Sequence, residues 1–375
     1  MRRMNWWSFA IGDHSDLFEN EIDEESVAIN AAAYDHHRLR ETRNRAMTAD
    51  EDKQYRLRAA IRRAPRTVAG ARSRLRAQRD LADAWRRMGE YRRAGLLFAL
   101  TLRAAEHLEV PDGLLVASIC NQWGVLGKYT GRFVQAEGLY RRALAVYERV
   151  YGGECDAVAT ICHNLGGLAH ARGASAEGEP WAARSVEIRE SLHGLDHPRV
   201  AADRAAWAAL LDGCGRLDEA EIQLRVALEI FEHADGDQRY EIAVNRHNLA
   251  ALCHRRGRYA EAIDGYLEAL AVKEALLGPR HPELATTLTG LAGAHRRQHQ
   301  PRQAALHYQR AITLLTGRVT PGHPVLRAAH QGLIHVQENR QAQQHIGTTP
   351  RPHPGRETPT PATPEHIEPE RFDRL

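Results

Sequence analysis

The chain has 375 residues, of which 43% are hydrophobic and 26% are charged, as expected for a folded protein. Its net charge of +3 is too small to indicate nucleic-acid binding by itself. No run approaches the ~18 apolar residues of a membrane span, and the short apolar stretch at the N-terminus does not fit a signal sequence, so we expect a cytoplasmic protein. The five cysteines form no CxxC pair, and we expect them to be buried free thiols.

Residues 1–70 show no repeated pattern, and we treat them as a separate, partly disordered helical segment. Residues 22–47 and 51–63 have the composition of helices, and Asp50 is a candidate N-cap for the second of them. At the other end, residues 346–375 contain seven prolines among Thr, Glu and Arg. That composition cannot build a core, so we predict a disordered tail.

A 42-residue repeat occupies the region between these segments. Its fixed points are Gly89, Gly131, Gly173, Gly215, Gly257 and, in the same phase, His299. Five residues after each point the residue is small, at Ala94, Ala136, Gly178, Ala220, Ala262 and Ala304. It is small again seven positions later, at Thr101, Ala143, Ser185, Ala227, Ala269 and Ala311. His-Pro pairs recur in phase at 197–198, 281–282 and 323–324, whereas Arg-Tyr stands at 239–240.

Helix geometry explains this pattern. Apolar stripes of helical period flank each fixed point, and a glycine suits the left-handed residue that ends the first of two helices. Small residues let the two helices approach closely, and a proline is tolerated in the first turn of the next helix. Each repeat is therefore predicted to be an antiparallel helix pair that buries its faces against its neighbours.

The pattern resembles the tetratricopeptide repeat, and specifically the 42-residue type of kinesin light chains. Residues 241–282 carry the resemblance best, with Asn248-Leu249-Ala250-Ala251-Leu252 followed by Gly257-Arg258-Tyr259-Ala260-Glu261-Ala262. It implies an all-α, right-handed superhelical solenoid over residues 73–338. The predicted units are 73–114, 115–156, 157–198, 199–240, 241–282 and 283–324, with a capping helix at 325–338.

No catalytic or cofactor signature is present. The sequence lacks a GxxxxGK[ST] phosphate loop and an HExxH zinc motif. The histidine pairs 163/170 and 247/254 are each two helical turns apart, about 10 Å, which is too far for joint chelation. We therefore predict a protein that is not an enzyme and needs no cofactor or metal.

The resemblance places the functional surface on the first helix of each pair, which lines a concave groove. The predicted peptide-binding residues are Asn121, Lys128, His163, Asn164, His170, His247, Asn248, His254, Arg255 and Arg296. Related repeats use asparagines such as Asn121, Asn164 and Asn248 to grip a peptide backbone, because an amide both donates and accepts hydrogen bonds. The charged groove residues are mostly basic, which favours an acidic segment or a C-terminal carboxylate as the ligand.

The sequence therefore predicts a non-catalytic scaffold or adaptor that binds a protein or peptide. Residues 5–25 combine Trp6, Trp7 and, from position 13 onward, seven acids, so they are a candidate intramolecular ligand. Packing of Trp6 and Trp7 on the start of the array is the alternative. A second reading is a peptide-sensing regulator whose arginine-rich residues 54–93 contact nucleic acid, although no helix-turn-helix pattern precedes the repeats.

Overall fold

The computed structural model describes residues 49–65 and 67–347, and all regular secondary structure within these ranges is helical. The helices are α1 (Ala49–Arg63), α2 (Val68–Arg87), α3 (Tyr91–Glu106), α4 (Gly113–Thr130), α5 (Phe133–Tyr151), α6 (Asp156–Ala171), α7 (Ser175–His193), α8 (Pro198–Gly213), α9 (Leu217–His233), α10 (Arg239–Arg255), α11 (Tyr259–Leu277), α12 (Leu284–Arg297), α13 (Pro301–Leu315) and α14 (Pro324–Gly347). The helix expected at 22–47 and most of the expected tail lie outside the described residues.

Helices α2 to α13 form six consecutive antiparallel pairs, from α2–α3 to α12–α13. Each pair packs on the next, α1 packs on α2, and α14 packs on both helices of the last pair. The predicted fold class, an all-α superhelical solenoid, is confirmed. Two helix ends differ from the sequence-based bounds. Helix α1 begins at Ala49, before the expected cap Asp50, and α14 continues to Gly347.

The turn inside each pair depends on a left-handed residue. Gly131 ends α4 with φ of 80°, and the N–H of the next residue, Arg132, donates to the carbonyl of Gly127 at 2.9 Å. The equivalent glycines of the other pairs have the same conformation. In the last pair His299 takes this place with φ of 58°, and no other non-glycine residue in the described ranges has a positive φ. The repeat phase thus fixes the backbone conformation of the turn even where the glycine is missing.

The small residues lie where the two helices of a pair meet. Ala136 and Ala220 are fully buried, as are their equivalents in the other pairs. A Cβ atom added to Gly178 would lie 2.6 Å from the Cβ of Ala169 on the partner helix, which is closer than side chains tolerate. The predicted close approach of the paired helices is therefore confirmed.

The superhelix closes on itself after five units, at two sites that we call the closing contact. At the first site, Nε2–H of His281 donates to the carbonyl oxygen of Arg87 at 2.7 Å. At the second, N–H of Thr320 donates to the carbonyl oxygen of Thr130 at 2.9 Å. The first site joins the C-terminal end of α2 to the loop before α12, and the second joins the C-terminal end of α4 to the loop before α14. In both cases the two helices are the first helices of pairs five units apart, α14 standing at the place of a seventh. The array therefore completes one turn.

All five cysteines lie in the described residues and are unpaired. Cys120 and Cys162 are buried as expected, whereas Cys214 is exposed, because it caps α8 just before the turn at Gly215. Within the described ranges, no helix combines the length and apolar character that a bilayer crossing requires.

Candidate functional site

The inner surface of the superhelix is built from the first helix of each pair. Helices α2, α4, α6, α8, α10, α12 and α14 each contact the next one in that series. The predicted groove residues all lie on these helices, and the closing contact brings α2 and α4 next to the start of α12 and α14. The result is a groove with protein on all sides of its axis.

Two of the three predicted asparagines meet in this groove. Nδ2–H of Asn164 on α6 donates to Oδ1 of Asn121 on α4 at 2.8 Å. Asn248 lies on α10, beyond the alanine-rich face of α8, and its side chain makes no hydrogen bond within the described residues. Its amide is therefore free to contact a ligand, whereas Asn121 and Asn164 form a linked pair.

His163 belongs to a charge network between α6, α7 and α8. Its Nδ1–H donates to Oδ1 of Asp203 at 2.6 Å, and the buried Arg189 donates from Nε to Oδ2 of the same carboxylate at 3.0 Å. Arg189 also reaches Asp156 at 2.9 Å. The network is centred on the almost fully buried Asp203 and joins three consecutive helices, and His163 and Asp156 form its partly exposed ends.

Lys128 lies in the last turn of α4 beside Tyr129. Its Nζ is 5.3 Å from the centre of the Tyr129 ring, and no carboxylate lies within ion-pair distance of it among the described residues. Desolvation, and after it the charge of Arg86, lower the pKa of Lys128. Arg86 also faces the Tyr129 ring, at 5.7 Å, and is paired with Asp83.

A second cation, Lys273, is buried between α11 and α12 close to the groove residue His247. Lys273 is only 4% exposed, and its Nζ finds only the hydroxyl of Thr287 at 3.4 Å. Desolvation, and after it the charge of Lys273, lower the pKa of His247 well below its usual range. Desolvation within the groove, followed by the charge of Lys128, also lowers the pKa of His170. The histidines therefore stay neutral near pH 7 and act as polar groups.

The remaining predicted residues lie at the C-terminal ends of α10 and α12. Arg255 is half exposed, and its Nε lies 3.2 Å from Oδ1 of Asp212. His254 packs edge-on against Tyr259 at 5.4 Å, and desolvation, followed by the charges of Arg297 and Arg296, lowers its pKa. Nε of Arg296 is buried without a hydrogen-bond partner in the described part of the chain. These residues make this side of the groove basic.

Two groove residues, Tyr240 and Glu283, and one buried cation behind the groove helices, Lys273, were missed from the sequence. The hydroxyl of Tyr240 at the start of α10 donates to Oε1 of Glu283 at the start of α12. Tyr240 stands where the repeat pattern expects the proline of a His-Pro pair, and Lys273 stands at a register that is apolar in four of the other five pairs. Both departures from the repeat were visible in the sequence and mark positions with a separate role.

The arginine-rich stretch 54–93 is largely engaged with the protein itself. Arg72 and Arg76 both lie 3.7 Å from Asp112, and Arg79 pairs with Asp80. Arg58 and Arg93 face the ring of Trp85, at 6.0 and 4.6 Å. These contacts stabilise the start of the array, and they leave the nucleic-acid alternative without a structural feature in its favour.

Two family models described as tetratricopeptide repeat match the chain. One matches residues 241–316, and the other matches residues 116–154 and 158–199. The first range falls on helices α10 to α13, and the other two fall on the pairs α4–α5 and α6–α7. No curated protein sequence matches the chain.

Among solved structures, the chain is similar to a Rap protein complexed with Competence and Sporulation Factor, with 16% identity, a TM-score of 0.50 and coverage of 80% of this chain and 90% of that chain. It is also similar to BtubC (BKLC) from P. vanneervenii, with 18% identity, a TM-score of 0.45 and coverage of 84% and 100%. A third is a candidate kinesin light chain with TPR-like repeats from Podosopora anserina, with 18% identity, a TM-score of 0.39 and coverage of 55% and 97%. At these identities the likeness concerns the fold alone. The family matches coincide with observed helix pairs whose turns recur every 42 residues, and the matched parts of the chain are tetratricopeptide repeats.

Proposed function

We propose that this chain is a non-catalytic adaptor that holds an extended acidic peptide segment in the enclosed groove. Its repeats make it a protein-interaction scaffold, and the proposal adds the kind of ligand and its place. One observation carries the proposal: Lys128 lies on the groove helix α4 and has no carboxylate within ion-pair distance in the described ranges.

An uncompensated cation in a desolvated groove favours an anionic ligand, because a desolvated charge without a partner costs free energy that a carboxylate from the ligand restores. The free amide of Asn248 and the Asn121–Asn164 pair add groups that can contact a peptide backbone in any sequence. Residues 5–25 of the same chain remain a candidate for the acidic ligand, and they lie outside the described residues.

A binding assay with two synthetic peptides tests the proposal. Fluorescein-labelled hexaglutamate and hexaglutamine are titrated with the full chain and with a version lacking residues 1–25, and anisotropy is recorded. We expect hexaglutamate to bind at least about tenfold more tightly than hexaglutamine, with an affinity that falls as salt is added. We expect the version without residues 1–25 to bind hexaglutamate more tightly if that segment occupies the groove.

The asparagines are tested in the same assay with the double variant Asn164→Ala/Asn248→Ala. It should bind both peptides about 30-fold more weakly, because each of the two lost amides removes roughly 1 kcal/mol of hydrogen bonding. The control is Gln303→Ala/Gln309→Ala, which removes two exposed amides from the outer helix α13. Equal affinity for the two peptides, or equal loss in the control, would contradict the proposed site.

A further inference from the structure

Glu283 is an acidic residue close to two groove tyrosines, Tyr240 and Tyr129. The hydroxyl of Tyr240 donates to its Oε1, and the negative charge of Glu283 is the main cause of the raised pKa of Tyr129. The cations Arg86 and Lys128 lie on the ring of Tyr129, at 5.7 and 5.3 Å from its centre. A carboxylate at this point is therefore held by a phenol and lies near two cations.

The groups that hold this carboxylate come from opposite ends of the array. Arg86, Lys128 and Tyr129 lie at the C-terminal ends of α2 and α4, whereas Tyr240 begins α10. Glu283 reaches them only because the closing contact places the segment 281–283 beside α2. Its neighbour His281 is bonded to Arg87, and a Cβ atom on Gly89 would lie 2.5 Å from the ring of Pro282.

The charged groups around Glu283 differ in whether they have an ion-pair partner. Arg86 is paired with Asp83, but Lys128 has no carboxylate within ion-pair distance, and Glu283 itself forms no ion pair within the described residues. A flexible carboxylate brought by a peptide along the groove axis could approach Lys128 more closely than Glu283, whose position is fixed by the turn before α12. Glu283 therefore leaves Lys128 without an ion-pair partner, and a more mobile carboxylate from a ligand would supply one.

We propose that Tyr129, Tyr240, Arg86 and Lys128 form a carboxylate-binding subsite, which Glu283 occupies in the closed array and which an acidic side chain or C-terminal carboxylate of the bound peptide takes over. This inference rests on the proposed function, and it names the chemical group that the groove recognises. It also makes Glu283 a competitor of the ligand. Binding at this subsite then weakens the closing contact, because Glu283 and His281 belong to the same short segment.

Removing the competitor tests the subsite. The full chain and its Glu283→Gln and Glu283→Ala variants are titrated with labelled hexaglutamate and hexaglutamine. Both variants should bind hexaglutamate about tenfold more tightly than the wild type, because the fraction of free subsites rises, while hexaglutamine binding changes by less than about twofold. The control Glu268→Gln removes one negative charge from an exposed site on the outer helix α11 and should leave both affinities unchanged.

A second substitution shows whether the gain arises at the subsite. Adding Tyr240→Phe to Glu283→Gln should abolish most of the gain, because the phenol that receives the carboxylate is lost. Circular dichroism of each variant confirms that it is folded. Equal hexaglutamate affinity in wild type and Glu283 variants, with binding still selective for glutamate, overturns the subsite but leaves the groove proposal standing. Absence of binding of either peptide to any variant overturns both.

Discussion

His307 on α13 is a residue whose protonation the fold resists. Its ring stacks on that of His295, with centroids 5.4 Å apart and planes at 12°. Burial, followed by the charge of His295 and that of Arg310, lowers the pKa of His307 to about 4. In the unfolded chain a histidine has a pKa near 6.5. Between about pH 6.5 and 4 the unfolded chain therefore binds more protons at this residue than the folded chain does.

The sign of the pH effect follows directly. The stability that neutral His307 contributes is fully present above about pH 6.5, and it is lost as the pH falls through the window down to about 4. We predict that His307→Gln loses less thermal stability than the wild type when the pH is lowered from 7 to 5. Thermal unfolding followed by circular dichroism at both pH values checks this. His330→Gln, at an exposed position on α14, is the control and should follow the wild type.

For single residues, the sequence predicted which side chains lie on the groove helices better than it predicted which residues they contact. The family pattern placed Asn121 and Asn164 on facing helices, and the structure joins them. It also placed His163 in the groove, but as a free ligand contact, whereas His163 is bonded to Asp203 from the next pair. Such partners depend on the rotamers of long side chains across two or three helices, which a repeat pattern does not encode.

The left-handed turns within the helix pairs offer a matched test at the scale of the element. Gly215 and Gly131 share φ values of 82° and 80°. A Cβ atom on Gly215 would meet nothing within 4 Å, but one on Gly131 would lie 2.5 Å from Oγ1 of Thr320 in the closing contact. Gly215→Ala therefore adds only backbone strain, roughly 1 kcal/mol, whereas Gly131→Ala adds a steric clash as well.

We predict that both alanine variants lower the urea midpoint of unfolding and that Gly131→Ala lowers it more. Gly131→Ala should also speed hydrogen exchange at the amide of Thr320, whose bond to Thr130 the clash displaces. Gly215→Ala should leave that amide as protected as in the wild type. Equal midpoints for the two variants would show that the second site of the closing contact is absent in solution.

The repeat phase predicts the elements well because it reports local geometry. Turn glycines, small contact residues and first-turn prolines each fix a few backbone angles, and six copies reinforce one another. The repeat phase predicts the helix bounds at the two ends of the array less well. Helix α14 runs to Gly347 because residues 339–347 contain Gln, Ala and Arg, which form helix readily, and contain no proline to end it.

Closure of the superhelix belongs to the whole molecule and could not be predicted from the sequence. The path of a solenoid is the sum of small rotations between neighbouring pairs, and an error of a few degrees in each would separate the ends. The repeat pattern says which surfaces pack, but not the angle at which they pack. The two histidines of the closing contact, His281 and His323, look in the sequence like ordinary members of the His-Pro series.

The closing contact predicts long-range coupling that an open array would lack. In an open solenoid each pair contacts only its neighbours, so a change in the sixth pair leaves the first pair unaffected. Here His281 donates to the carbonyl oxygen of Arg87, 194 residues away. We predict that His281→Ala speeds hydrogen exchange in residues 85–90 as well as in residues 278–283, because the end of α2 loses a contact that limits its fraying.

His197→Ala is the matched control for this coupling. His197 and His281 occupy the same place in the repeat, and the ring Nδ1 of each accepts a backbone N–H two residues later, at 3.0 and 3.3 Å. They differ in that Nε2–H of His281 donates to Arg87, whereas the ring of His197 stacks on His193 of the neighbouring helix α7. His197→Ala should therefore disturb only the end of α7 and the start of α8 and leave residues 85–90 unchanged. If the two variants leave exchange in residues 85–90 equally slow, the array is open in solution, and Glu283 is too far from Tyr129 to compete for a ligand.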